Sequence, residues 1–186
     1  MRKYISVKEW EQFFVAIADS TNELRDKNIF TIIYRHGLRV SELTGIRITD
    51  LDMSEKTIYI RRLKNGFSTI HPLQEDTCQL IKKWLEVRPL YLKGEDQGWL
   101  FLTTYGERIS RQWIYKLTQK YGLKAGLSLK VHPHMLRHSC GYALANQGLD
   151  TRLIQDYLGH RNINHTVHYT ASNPARFIRV WQCCAD

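Results

Sequence analysis

His134-Met135-Leu136-Arg137-His138, followed by Leu158-Gly159-His160 and then Tyr169, gathers an arginine, several imidazoles and a phenol into one C-terminal segment. A guanidinium offers five N–H donors in a planar fork that matches phosphate oxygens, and it stays charged at any working pH. Imidazoles donate to the same oxygens or carry protons near neutrality. A tyrosine hydroxyl beside them is a nucleophile able to attack phosphorus. Such a set handles phosphodiesters without calling on a metal.

Working outward, His132-Pro133-His134 breaks the chain ahead of a helix expected over residues 134–147, with Leu136, Tyr142 and Ala143 packed. His134, Arg137 and His138 then fall at three- and four-residue spacing on one side of it. Gly148 ends this helix, and a short one over 151–158 stops at Gly159. Further helices are expected over 162–169 and 174–181. Tyr169 lies nine residues after His160, across a short helix that can return it to the pocket. Tyr157 precedes Gly159-His160 and is expected to pack.

In the N-terminal half, Ser6-Val7-Lys8-Glu9 is a capping box, after which Trp10, Phe13, Phe14 and Ile17 share a helical face. A second helix is expected over 23–36 with Ile29, Phe30, Ile33 and Tyr34 inward, closed by a left-handed Gly37. Arg39 and a helical turn, Val40-Ser41-Glu42-Leu43, follow directly. On position alone Arg39 either points into a cleft or is a solvated surface arginine. Residues 57–61 and 67–71 read as paired strands, and Asn65-Gly66 between them signals a two-residue type I′ turn. That turn carries Lys64 near a hairpin tip, where lysines commonly serve as solvated edge protectors. Residues 74–87 form an amphipathic helix with Leu80, Ile81, Trp84 and Leu85 inward, and 99–102 a short apolar extended run. Ser110 caps a helix to about residue 121, with Trp113, Ile114 and Leu117 inside and Arg111, Lys116 and Lys120 outside.

At 186 residues and 43% apolar, the chain suits a single domain over 1–186 with a real core. Its 27 Lys and Arg against 18 Asp and Glu leave a formal charge of +9, which favours a polyanionic partner, nucleic acid ahead of an acidic membrane surface. A basic enzyme whose charge has no specific meaning is the plain alternative. No run approaches the roughly 18 apolar residues of a membrane span, and the start turns polar before a signal peptide could form. Cys78, Cys140, Cys183 and Cys184 show no C-x-x-C pair, which fits free thiols in a reducing cytoplasm. The histidines at 132, 134, 138, 160, 165 and 168 invite a metal reading. No carboxylate lies among them, however, and Pro133 hinders convergence of its two neighbours. We expect no metal and no cofactor, with His138 and His165 as structural histidines.

Together, Gly37-Leu38-Arg39-Val40-Ser41-Glu42-Leu43, the hairpin Lys64, His134-x-Leu136-Arg137-His138, Leu158-Gly159-His160 and Tyr169 resemble the catalytic domain of the tyrosine recombinase (phage integrase) family. The order matches from end to end, over roughly residues 5–181. The resemblance implies an α+β fold, mostly helical, with a small antiparallel sheet. It further implies that Arg39 and Arg137 clamp the scissile phosphate, Lys64 protonates the leaving 5′-oxygen, and His134 and His160 complete the pocket. Tyr169 would be the nucleophile and Glu42 the support of the first arginine. The family commonly carries a separate N-terminal DNA-binding domain, whereas here the catalytic pattern begins almost at Met1, as in the short invertases that flip fimbrial promoters. The expected partners are double-stranded DNA with inverted repeats, further protomers in a synaptic tetramer, and DNA-bending accessory proteins. The expected location is the cytoplasm, on the nucleoid. A type IB topoisomerase would share the arginine, lysine, histidine and tyrosine set, and a non-catalytic DNA-binding regulator would share the fold.

Overall fold

The computed structural model describes residues 2–63, 66–171 and 173. Helix α1 (Val7–Val15) opens with the expected reciprocal cap: Glu9 N–H donates to Ser6 Oγ at 3.3 Å, and Ser6 N–H to Glu9 Oε2 at 2.7 Å. Helix α2 (Glu23–His36) is the central element and packs on α4 (Glu75–Val87) and α6 (Pro133–Asn146). Its buried Ile29, Phe30, Ile32 and Ile33 anchor a main core to which Phe13, Trp84, Ile114, Tyr121 and Leu136 contribute. Gly37 ends α2 at φ 59°, in the left-handed region that favours glycine, and a β-carbon there would collide with the Leu158 side chain. Helix α3 (Val40–Leu43) follows at once.

Strands β1 (Leu51–Asp52), β2 (Thr57–Ile60) and β3 (Thr69–Pro72) form one antiparallel sheet in that order. This sheet differs from the expectation in its register. A two-residue turn at Asn65-Gly66 would set Ile60 opposite His71, but the ladder sets Ile60 opposite Thr69 and Ile58 opposite His71. A two-residue turn at Asn65-Gly66 does not fit that register. The cause is tertiary. Arg62 leaves the ladder to reach a buried carboxylate, and Gly66 packs so closely that an added β-carbon would stand 3.0 Å from the Gly159 carbonyl oxygen. Phe67, expected within the strand, is consequently exposed.

Residues 99–102 form two isolated bridges, Arg47 with Trp99 and Leu102 with Arg108, instead of a strand. The guanidinium groups of Arg47 and Arg108 flank the Trp99 ring at 4.0 and 4.3 Å. Helix α5 (Arg111–Lys124) starts where expected, with Ser110 Oγ accepting from Trp113 N–H at 3.1 Å. Trp113, however, is exposed, because Ile114, Leu117, Thr118 and Tyr121 already fill the inward stripe. Helices α6, α7 (Thr151–Leu158) and α8 (Asn164–Thr170) enclose a second, smaller core of Cys140, Ala145, Ile154, Leu158 and Tyr169. The Ser139 hydroxyl pins the N-terminal segment to α6, accepting from Ile5 N–H at 2.9 Å and donating to the Ile5 carbonyl at 3.0 Å. The helix expected over 174–181 and the pair Cys183-Cys184 lie outside the described residues. No helix among the described residues is long and apolar enough to cross a membrane.

Candidate active site

Glu42 organises the site. Buried on the single turn of α3, its carboxylate accepts from the Arg39 backbone N–H and the Arg39 guanidinium, both at 2.8 Å, and from Arg62 Nη1 at 2.9 Å. Arg137 Nη1 stands 3.8 Å away. Burial alone would raise the Glu42 carboxyl, but Arg62, the Arg39 N–H and Arg137 outweigh it and hold the group below its ordinary value. Three guanidinium groups thus share one buried carboxylate. The cluster keeps a surplus of positive charge for an incoming anion.

Arg137 is fixed from α6 by two backbone carbonyls, that of Gly37 at the end of α2 and that of Leu158 at 2.8 Å. The left-handed stops of α2 and α7, Gly37 and Gly159, therefore shape the cradle in which this arginine sits. Desolvation first, and Arg39 second, pull Arg137 down to about 10, so it stays cationic at neutral pH. Arg62 is equally buried and donates to the Tyr157 carbonyl at 2.6 Å, closing the floor between α3 and α7.

The histidines surround this charge. His134 is exposed at the start of α6, and crowding by protein, then Arg137, His132 and Arg39, lower its pKa. His160 lies 2.7 Å through Nδ1 from Thr166 Oγ1, and desolvation followed by Arg137 and Arg39 pushes it down to about 3. Both are therefore neutral in the free protein. Tyr169 projects from α8 into the small core, with only 2% of its surface exposed and its ring over Gly141 of α6. The His160 ring runs nearly parallel to it at 6.4 Å. Burial raises the Tyr169 phenol well above its ordinary range.

Of the residues expected from sequence, Glu42, His134, His160 and Tyr169 all lie within electrostatic reach of Arg39 and Arg137. Lys64 lies outside the described residues. Tyr157 packs, as expected, its hydroxyl donating to the Arg35 carbonyl at 2.8 Å. Sequence reasoning missed Arg62, whose signal was present: it continues the inward alternation of Ile58 and Ile60. His138, expected among the structural histidines, has its Nδ1 2.7 Å from the Tyr169 hydroxyl. Among the described residues no group of three or more potential ligands could hold a metal ion.

Comparison with known proteins places the chain among its relatives. The chain is 47% identical over 181 residues to the type 1 fimbriae regulatory protein FimE of Escherichia coli (strain K12), covering 97% of this chain and 91% of that protein. It is 49% identical over 180 residues to FimB of the same strain, covering 97% and 90% respectively. Among solved structures, the XerA recombinase superposes with a TM-score of 0.82 at 27% identity, over all of this chain and 66% of its own. The XerH site-specific recombinase bound to its difH substrate in a pre-cleavage complex does so with a TM-score of 0.78 at 27% identity, over 91% of this chain and 50% of its own. The chain therefore spans half to two thirds of the solved recombinases but nearly the whole of the fimbrial regulators. The phage integrase family model matches residues 3–176, and the chain belongs to that family.

Proposed function

We propose that this protein is a site-specific tyrosine recombinase that inverts a DNA segment controlling fimbrial expression, cutting and rejoining through a 3′-phosphotyrosyl link. The observation that carries the reading is the convergence of Arg39 and Arg137 on buried Glu42, with Tyr169 packed against the same helix as Arg137. The family membership and the fimbrial relatives support the substrate class. In-line attack on a phosphodiester builds charge on the non-bridging oxygens, and two fixed guanidinium groups stabilise that charge better than they do the ground state. His134 and His160, neutral in the free protein, donate to the same oxygens. Lys64 serves as the acid for the 5′-alkoxide, a poor leaving group without one. The bond energy is kept in the phosphotyrosyl link, so a 5′-hydroxyl from another strand reverses the reaction with neither ATP nor metal.

The partner in this reading is duplex DNA carrying inverted repeats, with four protomers on two sites and DNA-bending proteins assisting synapsis, in the cytoplasm on the nucleoid. The formal charge of +9 supplies phosphate contacts, and assembly of several protomers adds avidity. The test uses nicked duplexes with inverted repeats from beside the gene, followed by denaturing gels. Wild type should give a denaturation-resistant adduct that Tyr169→Phe lacks, and should invert the intervening segment. Arg137→Lys, which loses the planar fork, should cleave about 10²–10³-fold more slowly. Specific but never covalent complexes would turn the reading to a DNA-binding regulator. Relaxation without strand exchange would turn it to a topoisomerase.

A further inference from the structure

The Tyr169 hydroxyl has a hydrogen-bond partner that belongs to neither the arginine pair nor the two expected pocket histidines. His138 Nδ1 lies 2.7 Å from it, inside the small core between α6 and α8. His138 follows Arg137 on α6, so the residue that fixes the phosphate clamp and the one that touches the phenol are held by one rigid helix. The groups facing His138 are His134 on its own helix, with rings edge-on at 4.5 Å, Arg137, His168 of α8 at 5.8 Å, and Lys3 of the N-terminal segment. Among the described residues these neighbours include no carboxylate. Desolvation, then these neighbours, bring His138 down to about 4, so its imidazole is neutral, and with its proton on Nε2 it accepts from the phenol.

We propose that His138 takes the phenol proton of Tyr169 as the nucleophile attacks. The proposal rests on the reading of Tyr169 as nucleophile. In the step, the Tyr169 O–H bond breaks and its proton passes to His138 Nδ1. The phenolate oxygen forms a bond to phosphorus, and the P–O5′ bond breaks with its electron pair going to the 5′-oxygen, which is protonated by the leaving-group acid. His138 stays protonated while the phosphotyrosyl link lasts. In the ligation half, a 5′-hydroxyl attacks phosphorus and returns its proton to the acid. The P–O bond to Tyr169 breaks, and the phenolate recovers its proton from His138. Protons and electrons balance over the cycle. Before DNA arrives, burial keeps the phenol protonated, and desolvation, then the neighbouring His134, His168, Arg137 and Lys3, keeps His138 a poor base, so the pair is idle. A scissile phosphate on Arg137 brings the negative charge that favours the imidazolium. Arrival of substrate thus switches on the base.

The experiment measures single-turnover adduct formation on the nicked inverted-repeat duplexes, with gel shifts to separate binding from cleavage. His138→Ala should bind DNA as wild type does and cleave about 10²-fold more slowly. His138→Asn keeps an acceptor oxygen near Nδ1 but cannot hold a proton, and it should be as slow. Site-specific fluorotyrosine at position 169, a more acidic phenol, should restore much of the His138→Ala rate and shift its pH profile to lower pH. A wild-type rate in His138→Ala or His138→Asn overturns the proposal, as does a slow His138→Ala rate that fluorination leaves untouched. An adduct formed by Tyr169→Phe would instead sink the nucleophile reading, whatever the His138 variants do.

Discussion

At the scale of single residues, Glu42 shows why one carboxylate can organise several cations. Its partners satisfy both oxygens, so the cost of burying the charge is offset by three guanidinium groups at 2.8, 2.9 and 3.8 Å. Arg62 is the partner with the least access to water, with its side chain fully buried, and removing it leaves a buried carboxylate short of a donor. Arg62→Met keeps the aliphatic stem and deletes the charge. It should lower stability by about 3–5 kcal/mol, read as a fall in the urea midpoint at unchanged slope. An unshifted midpoint would show that Arg39 and Arg137 alone neutralise Glu42. This scale was the most legible in the sequence: Arg39 and Glu42 are three apart on one turn, and their bond follows from helix geometry. The Arg62 contact was less legible because its chain leaves the sheet ladder to make it. The bond from His138 to Tyr169 required the fold of α8 against α6, which no local spacing reveals.

Elements were legible where the chain marks its own ends. The Ser6 box, the Ser110 cap and the left-handed Gly37 and Gly159 all fall where the sequence puts them. The two hairpin strands pair as read, but their register departs from the local Asn65-Gly66 signal because tertiary contacts of Arg62 and Gly66 set it. Gly141 was another silent position. It sits mid-helix in α6, where glycine is unfavourable, yet a β-carbon there would stand 2.6 Å from Cε2 and Cζ of Tyr169. The missing side chain is the space that the phenol occupies. Gly141→Ala gains roughly 1 kcal/mol of helix propensity against an overpacking cost of about 1–3 kcal/mol, so the variant should stay folded. Its displaced Tyr169 should form adduct at least tenfold more slowly by the near-attack argument, about 10²-fold for a 1 Å misplacement. Wild-type adduct rates together with a normal melt would show that α8 shifts without moving the hydroxyl.

The whole molecule carries a pH dependence written by its neutral histidines. His36 and His71 are buried against one another, Nδ1 to Nδ1 at 3.2 Å, beneath the Tyr157 ring, which lies 4.1 Å from His71. Desolvation first, with His71 and Arg62 adding to it, lowers His36 to about 3, and desolvation then Arg62 lowers His71 to about 4. In the unfolded chain both titrate near the ordinary value of about 6.5. Between these limits the unfolded state binds more protons than the folded one, so stability rises with pH there. The contribution is fully present above about pH 6.5 and is lost as pH falls toward about 4. The depressed carboxylates have the same sign but act lower: Asp96, held near 2 by Arg88, loses its stabilising charge only below the ordinary carboxylate range. The interval from about pH 6.5 down to about 4.5 therefore belongs chiefly to the histidines. The His36–His71 pair should account for a loss on the order of a few kcal/mol across it, since each tenfold drop in proton affinity on folding is worth about 1.4 kcal/mol and the two imidazoles titrate as a pair. His71→Val, which suits a buried strand position, should flatten the urea-midpoint profile over this interval while leaving the steeper fall below it. An identical acid limb in His71→Val would show that the proton enters elsewhere.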